Sequence, residues 1–183
     1  MQRVLIVISH ADDAAAQEAT NACKHLAQRG ISCVFDREDL DHFAALGAAQ
    51  PEGSTAYSGE DLDLVMVLGG DGSILRAAEI VNGNPAPILG INLGHVGFMT
   101  EAERSEIPAV LDAVAAGKFS TSERTTLEVK VWQEGKEVFS SWAINEVAVE
   151  KSARERMLEV VLEIDARPVS SFGCDGVLVS TPT

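Results

Sequence analysis

Residues 64–79 read LVMVLGGDGSILRAAE, and this stretch decides the fold of the chain. Its first five residues are apolar and predict a buried strand, whereas Ile74, Leu75 and Ala78 have the spacing of one helix face. The glycine-rich turn between them can bring backbone N–H groups together at a helix N-terminus, which is a typical anion site. The turn also carries an acid, Asp71, which a pure phosphate site would not favour. We therefore expect Asp71 to act as a base, a metal ligand or a ribose partner, although Gly-Asp-Gly also occurs in turns without function.

The composition restricts the class of partner. The chain has 183 residues, 46% of them hydrophobic, and its 14 Lys and Arg against 28 Asp and Glu give a net charge of −14. Such an acidic balance argues against nucleic acid and anionic membranes as partners. No apolar run approaches the ~18 residues of a membrane span. The three cysteines are widely spaced and predict neither a disulfide framework nor a zinc site, which favours a reducing cytoplasm. The four histidines show no ligand spacing either, so we expect the protein to have no metal site of its own.

Strands and helices alternate over residues 1–122, which predicts an open, mostly parallel sheet flanked by helices. Strands are predicted at 3–9, 31–35, 64–68 and 87–91, and helices at 12–28, 41–49 and 109–116, with one more following the first glycine turn. From residue 123 apolar and polar residues alternate instead, with strands predicted at 127–132, 136–142, 144–149, 158–164 and 177–180. We therefore expect a second, antiparallel β domain over 123–183, which is incomplete because the chain stops directly after a strand.

A second glycine-rich turn, NLGHVGF at residues 92–98, follows the strand after the first turn. In open α/β sheets ligands bind beyond the carboxyl ends of the strands. The two turns are therefore expected to form opposite walls of one crevice.

The order of four motifs resembles the NAD kinase family. These motifs are GGDG at 69–72, NLGHVGF at 92–98, NEV at 145–147 and DGVLVSTPT at 175–183. The resemblance implies a Rossmann-like, phosphofructokinase-like first domain, followed by an all-β domain. It implies transfer of the γ-phosphoryl group of ATP to the 2′-hydroxyl of the adenosine ribose of NAD, with Mg²⁺ arriving on ATP. It further implies a homodimer or homotetramer.

The same resemblance implies that the natural chain continues beyond Thr183 with Gly-Ser-Thr-Ala-Tyr, and that residues 1–183 alone have little activity. The sequence GSTAY also occurs at residues 53–57, ahead of the GGDG turn, and we interpret that occurrence as a coincidence in a loop.

The resemblance assigns roles to individual residues. Asp71 is implied to be the base that accepts the proton of the ribose hydroxyl. The glycines of the first turn are implied to offer N–H groups to phosphates, namely Gly69, Gly70 and Gly72. Contacts with nucleotide are implied for Arg76, Phe98, Asn145, Glu146, Arg156 and Asp175.

The residues by themselves leave other roles open. Arg76 lies one helical turn after Gly72, from which it could reach a phosphate, Asp71 or only solvent. Phe98 could be a core residue as well as an adenine wall. Asn145 falls in an otherwise apolar strand pattern, where a buried polar group needs partners.

Three more candidates have equally ordinary alternatives. Glu146 could simply face solvent, Asp175 suits an exposed turn before a glycine, and Arg156 could belong to a solvated loop. At the level of the whole protein, two alternative functions remain beside NAD kinase. One is a diacylglycerol-type lipid kinase, which shares the GGDG turn, and the other is a non-catalytic dinucleotide-binding module.

Overall fold

The structure is a computed structural model that describes residues 2–94, 97–152 and 157–182. The chain divides into two compact units, Met1–Thr121 and Ser122–Thr183. The strands of the first unit are β1 Arg3–Ile8, β2 Ser32–Phe35, β3 Thr55–Ala56, β4 Leu64–Leu68, β5 Ile88–Asn92 and β6 Ala102–Glu103. Its α-helices are α1 Ala14–Ala27, α2 Arg37–Ala45, α3 Asp71–Ile80 and α4 Ile107–Ala115, with a short 3₁₀ helix at Arg104–Glu106.

The six strands of the first unit form one parallel sheet in the order β3-β2-β1-β4-β5-β6. The chain begins in the middle of the sheet, moves outward through β2 to β3, and then returns to place β4 on the other side of β1. The direction of winding therefore reverses between β1 and β4. A sheet of this kind opens a crevice at that point, beyond the carboxyl ends of the strands.

Both faces of the sheet are buried, which explains why its central strands are apolar at every position. On one face Val4, Ile6 and Ile8 of β1 join a cluster with α1, α4 and Phe43 of α2. On the other face Leu5 and Val7 join a cluster with residues of α3. The observed sheet, with helices on both faces, confirms the fold class predicted for the first part of the chain.

Several element boundaries differ from the sequence-based prediction. Helix α2 was predicted at 41–49 but runs from Arg37 to Ala45, because the Asp36 side chain accepts a hydrogen bond from the Glu38 N–H (3.3 Å) and starts the helix earlier. Part of the loop containing GSTAY is the edge strand β3, which pairs with β2 through Thr55 and Ala56.

Every element that the structure describes in the second unit is a β-strand, which confirms the predicted antiparallel architecture. The strands are β7 Leu127–Gln133, β8 Lys136–Ala143, β9 Glu146–Glu150, β10 Leu158–Ile164, β11 Arg167–Cys174 and β12 Gly176–Ser180. They pair as three antiparallel ladders, β7 with β8, β10 with β11 and β9 with β12. Strand β11 was not predicted, since Pro168, Gly173 and two serines obscure its alternation. In the part of the chain that the structure describes, no helix is long and apolar enough to cross a membrane.

Candidate functional site

The first glycine turn leaves β4 between the ends of its two neighbouring strands. The Ser9 N–H, just beyond β1, donates to the Leu68 carbonyl (2.9 Å), and the Gly69 N–H donates to the Ile91 carbonyl in β5 (3.0 Å). A Cβ at Gly69 would lie 2.5 Å from Ser73 Oγ and 3.0 Å from Ser9 Cβ. A side chain at residue 69 would force Ser73 and Ser9 to shift, so glycine favours this close approach of β4 and α3 beside β1.

The following residues open the turn toward the crevice. Gly70 is the N-cap of α3, has extended backbone and makes no side-chain cap. Apart from the adjoining residues and the backbone of α3 itself, no described heavy atom lies within 4 Å of the position that a Cβ would take at Gly70 or Gly72. The first N–H groups of a helix have no partner within the helix, so this open turn can offer them to an anion.

Asp71 is the first residue of α3, and its carboxylate joins the two glycine turns. Oδ2 accepts a hydrogen bond from the Phe98 N–H and Oδ1 accepts one from the Met99 N–H, both at 3.0 Å. Each carboxylate oxygen has a second lone pair, so this fixed carboxylate can still accept a proton from a hydroxyl. The negative charge also lies in the first turn of the helix, where the helix dipole stabilises it.

Gly97 makes this arrangement possible. A Cβ at residue 97 would overlap Oδ1 of Asp71 and would lie 3.0 Å from its Cγ and 3.3 Å from its Oδ2. The second turn is also held from its other end, where the buried Asn92 side chain accepts a hydrogen bond from the Gly94 N–H (3.2 Å). The sequence predicted that the two turns would face each other, and in the structure they touch through Asp71.

The aromatic ring of Phe98 is 98% exposed, which shows that it is not a core residue. Its backbone N–H is held by Asp71 while its side chain is free of packing. An exposed ring beside an open glycine turn is suited to stacking on a nucleobase, and that role remains a prediction.

Arg76 lies in a separate cluster at the carboxyl end of β1. Its Nη2 donates to the Ile8 carbonyl (2.8 Å) and to Oδ1 of Asp39 (2.6 Å). Asp39 is fully buried and also bonds Nε2 of His10 (2.7 Å). Burial raises the pKa of the Asp39 carboxyl, while Arg76 and His10 act in the opposite direction. The predicted contact of Arg76 with a dinucleotide remains a prediction.

Sequence analysis missed His10 and Asp39. No motif surrounds them, and their meeting depends on the strand order, which puts the end of β1 next to both α2 and the first glycine turn. The rule that ligands bind where the winding reverses would have pointed to His10, had the order been known.

A cavity of about 760 Å³ lies on the α1 and α4 side of the sheet. It is lined in part by Glu18, Asn92, Gly94, Arg104, Ile107 and Leu111. It touches the second glycine turn but contains none of the predicted site residues, because Asp71 and α3 belong to the other face. The candidate site therefore lies at the two turns.

In the second unit, two of the predicted motifs are brought together by the β9–β12 ladder. The register pairs Ser180 with Glu146, and the Asn145 carbonyl accepts hydrogen bonds from the Thr181 N–H (2.8 Å) and hydroxyl (3.2 Å). Asn145 lies in the bend before β9 rather than within a strand, so the expected strand at 144–149 begins at Glu146. The Glu146 residue is exposed, as the solvent-facing alternative allowed.

Asp175 lies at the other end of the same ladder, in the turn before β12, as predicted. Its carboxylate pairs with the Lys151 ammonium group. Four register steps separate the Gly176–Glu150 pair from the Ser180–Glu146 pair, which is about 14 Å along a strand. Asp175 and Asn145 could therefore contact the same ligand only if that ligand is extended. Arg156 lies outside the described residues.

Metal-ligating side chains do not gather in the described part of the chain: no group of three or more His, Cys, Asp or Glu residues there could hold an ion.

Comparison with known families finds two matching family models. The ATP-NAD kinase N-terminal domain matches residues 4–119, and the ATP-NAD kinase C-terminal domain matches residues 144–183. Among individual relatives, the chain is 47% identical over 194 residues to an NAD kinase of Leifsonia xyli, covering 100% of this chain and 61% of that protein. It is 44% identical over 191 residues to an NAD kinase of Mycobacterium bovis, covering 98% of this chain and 62% of that protein. The chain thus spans about three fifths of the length of these relatives.

Two solved structures share the fold. A yeast NADH kinase complexed with NADH superposes with a TM-score of 0.85 at 19% identity, covering 100% of this chain and 58% of that one. An NAD kinase from Archaeoglobus fulgidus in complex with ATP superposes with a TM-score of 0.60 at 22% identity, covering 98% of this chain and 60% of that one.

Proposed function

The chain belongs to the ATP-NAD kinase family, and on that premise we propose that its protein transfers the γ-phosphoryl group of ATP to the 2′-hydroxyl of the adenosine ribose of NAD, giving NADP and ADP. The observation that carries the proposal is the Asp71 carboxylate, held at the open glycine turn by two backbone N–H groups. This observation supports the proposal because phosphoryl transfer to a hydroxyl needs an oriented proton acceptor near groups that bind phosphate.

The proposed chemistry assigns one task to Asp71. As the ribose oxygen attacks the γ-phosphorus, Asp71 accepts the hydroxyl proton, and the bond from phosphorus to the β,γ-bridging oxygen breaks to release ADP. The hydrogen bonds from Phe98 and Met99 fix the direction of the carboxylate before the substrate arrives. Such preorganisation lowers the barrier because less rearrangement is left for the transition state.

The phosphates of ATP are assigned to the first turn. The open backbone of Gly70 and Gly72 would donate N–H groups to them, next to the N-terminus of α3. Because the chain carries a net charge of −14, its overall field does not attract a nucleotide. We propose that Mg²⁺ enters as part of the ATP substrate and neutralises phosphate charge.

Four of the residues that the family resemblance names are assigned to NAD. We propose that Phe98 stacks on the adenine and that Asn145, Glu146 and Asp175 contact the ribose and nicotinamide portions. The two solved relatives are complexes with NADH and with ATP, which supports nucleotides of these two classes as ligands. Contact by Arg156 is proposed from family resemblance alone.

We further propose that the protein acts in the cytoplasm as a homodimer or homotetramer. Both family matches are to NAD kinase domains, and no observation favours a lipid kinase or a non-catalytic module.

The test is NADP formation from ATP and NAD by the full-length protein and by Asp71→Asn. We expect NADP from the wild type and a loss of about 10²- to 10⁴-fold in kcat for the variant, as for removal of a general base. Glu79→Gln is the matched control, because Glu79 is exposed near the other end of the same helix. No NADP from the wild type would contradict the proposed function, whereas undiminished turnover by Asp71→Asn would contradict only the role of the base.

A further inference from the structure

Among the described residues, Asp39 is the only buried carboxylate, and it is fully buried. Its Oδ1 accepts hydrogen bonds from Arg76 Nη2 (2.6 Å) and interacts with His10 Nε2 (2.7 Å), and its Oδ2 lies 3.4 Å from the Ile8 N–H. A buried charge is costly unless it is paired and hydrogen-bonded. Here the Asp39 carboxylate is stabilised by donors from the end of β1 and from α3.

Arg76 connects three elements through these contacts. It projects from α3, bonds the last carbonyl of β1 at Ile8 (2.8 Å), and pairs with Asp39 of α2. It lies five residues after Asp71, or about 7.5 Å along the helix axis. A link at this point therefore fixes the first turns of α3 against the strand beside which the glycine turn opens.

The charges around the guanidinium do not favour a phosphate. Besides Asp39, the carboxylates of Asp36 and Glu38 lie 3.8 Å and 3.9 Å from Arg76 Nη1. Three carboxylates thus surround one guanidinium, and the His10 ring stacks on His42 beside them, with centroids 4.4 Å apart. An anionic ligand would have to approach an anionic cluster. The immediate role of Arg76 is therefore to hold elements together.

We propose that the Asp39–Arg76 pair is a positioning device for Asp71. By tying α3 to β1 and α2, the pair sets the place of the first helical turn, and hence the reach of the Asp71 carboxylate to the Phe98 and Met99 N–H groups. The inference rests on the proposed function for its effect on turnover. Arg76 is then a positioning residue, and this role differs measurably from a contact with nucleotide.

The two roles predict different kinetic changes. Loss of a nucleotide contact raises KM for that nucleotide, whereas misplacement of the base lowers kcat with little change in KM. A displacement of about 1 Å in a catalytic group can cost about 100-fold in rate. We expect Asp39→Asn in the full-length protein to lower kcat by about 10- to 100-fold, with KM for ATP and for NAD within about twofold of the wild type.

A second variant keeps the test valid if Asp39→Asn fails to fold. Asp39→Asn removes the buried charge that pairs with Arg76 Nη2 and leaves only the more distant carboxylates of Asp36 and Glu38, which is expected to be destabilising. Arg76→Lys retains the charge but cannot reach the Ile8 carbonyl and Asp39 with the same planar group. It is expected to lower kcat about 3- to 10-fold, in the same direction and again without a change in KM.

Amide exchange provides a readout that does not depend on turnover. We expect faster exchange at the Phe98 and Met99 amides in both variants, with the amides of β1 and β4 remaining protected. The matched control is Asp112→Asn, because Asp112 also pairs with an arginine, Arg29, and a histidine, His25, but is 60% exposed. It should leave kcat and exchange at these two amides unchanged.

Three outcomes would overturn the positioning role. These are a KM increase with kcat unchanged, unchanged exchange at Phe98 and Met99, and a uniform rise in exchange across the sheet without a change in kcat. If the wild type makes no NADP, the proposed function fails by itself, and the exchange measurement still decides whether the pair positions Asp71.

Discussion

Gly97→Ala tests whether the position of the Asp71 carboxylate controls turnover. The new methyl group would overlap Oδ1 of Asp71 and lie 3.0 Å from Cγ, where ordinary contacts begin near 3.4 Å. The φ angle of Gly97 is not in the left-handed region, so an alanine there carries no backbone strain and acts only through this contact. The carboxylate must retreat by several tenths of an ångström, which weakens both of its hydrogen bonds.

The expected loss follows from that displacement. Misplacement approaching 1 Å costs up to about 100-fold, so we expect kcat for NADP formation to fall by about 10- to 100-fold, or about 1.4 to 2.7 kcal/mol. The assay is repeated in the Asp71→Asn background. Residue 71 no longer acts as the base there, so Gly97→Ala should lower kcat by a smaller factor. If the two losses simply multiply, or if Gly97→Ala turns over normally, the link between carboxylate position and rate is refuted.

Two further predictions concern stability. Phe43 is fully buried and packs edge-on against Phe35 with centroids 5.5 Å apart, so Phe43→Ala should lower the free energy of unfolding by about 3 to 5 kcal/mol. Leu46→Ala, at a residue 40% exposed, should cost less than about 1 kcal/mol, and equal losses in denaturant titrations would contradict this difference. The Asp63 carboxylate accepts the Gln2 and Arg3 N–H groups (2.6 and 2.9 Å), which lowers its pKa below the ordinary 3.8. The stabilising effect of this carboxylate is therefore complete above that pH and is lost as the pH falls through the folded-state pKa. The difference in Tm between the wild type and Asp63→Asn should shrink when the solution is acidified, and it should not shrink at alkaline pH.

The elements that sequence predicted well are those whose signal is local. The apolar run at Leu64–Leu68 matches β4 residue by residue, since a strand buried on both faces needs apolar side chains throughout. The first glycine turn was also identified from local signals, because the close approach of its backbone and the start of α3 both depend on residues that are neighbours in the chain. Strand β3 was not predicted, because its two residues, Thr55 and Ala56, have no strand pattern of their own and form a strand only by pairing with β2.

The parts of the site that the sequence did not predict depend on contacts between residues that are far apart in the chain. Asp39 and Arg76 are 37 positions apart and meet only because of the strand order. The contact of Asp71 with the Phe98 and Met99 N–H groups involves the backbone, which leaves no trace in side-chain identity. The ladder register likewise decides that Asn145 and Asp175 lie at opposite ends of β12, which spacing along the chain does not reveal.

The use of main-chain donors to hold Asp71 has a consequence for how this site can evolve. Any residue with an N–H group can make the bond at position 98, so its exposed side chain can change while the acid stays in place. Met99, in contrast, packs against the core cluster that includes residues of α3. If the proposed function holds, the contact with the nucleobase and the placement of the proton acceptor are thus set by different parts of one residue, the side chain and the backbone of Phe98. Proline alone is excluded at both, because it lacks the hydrogen that each bond requires.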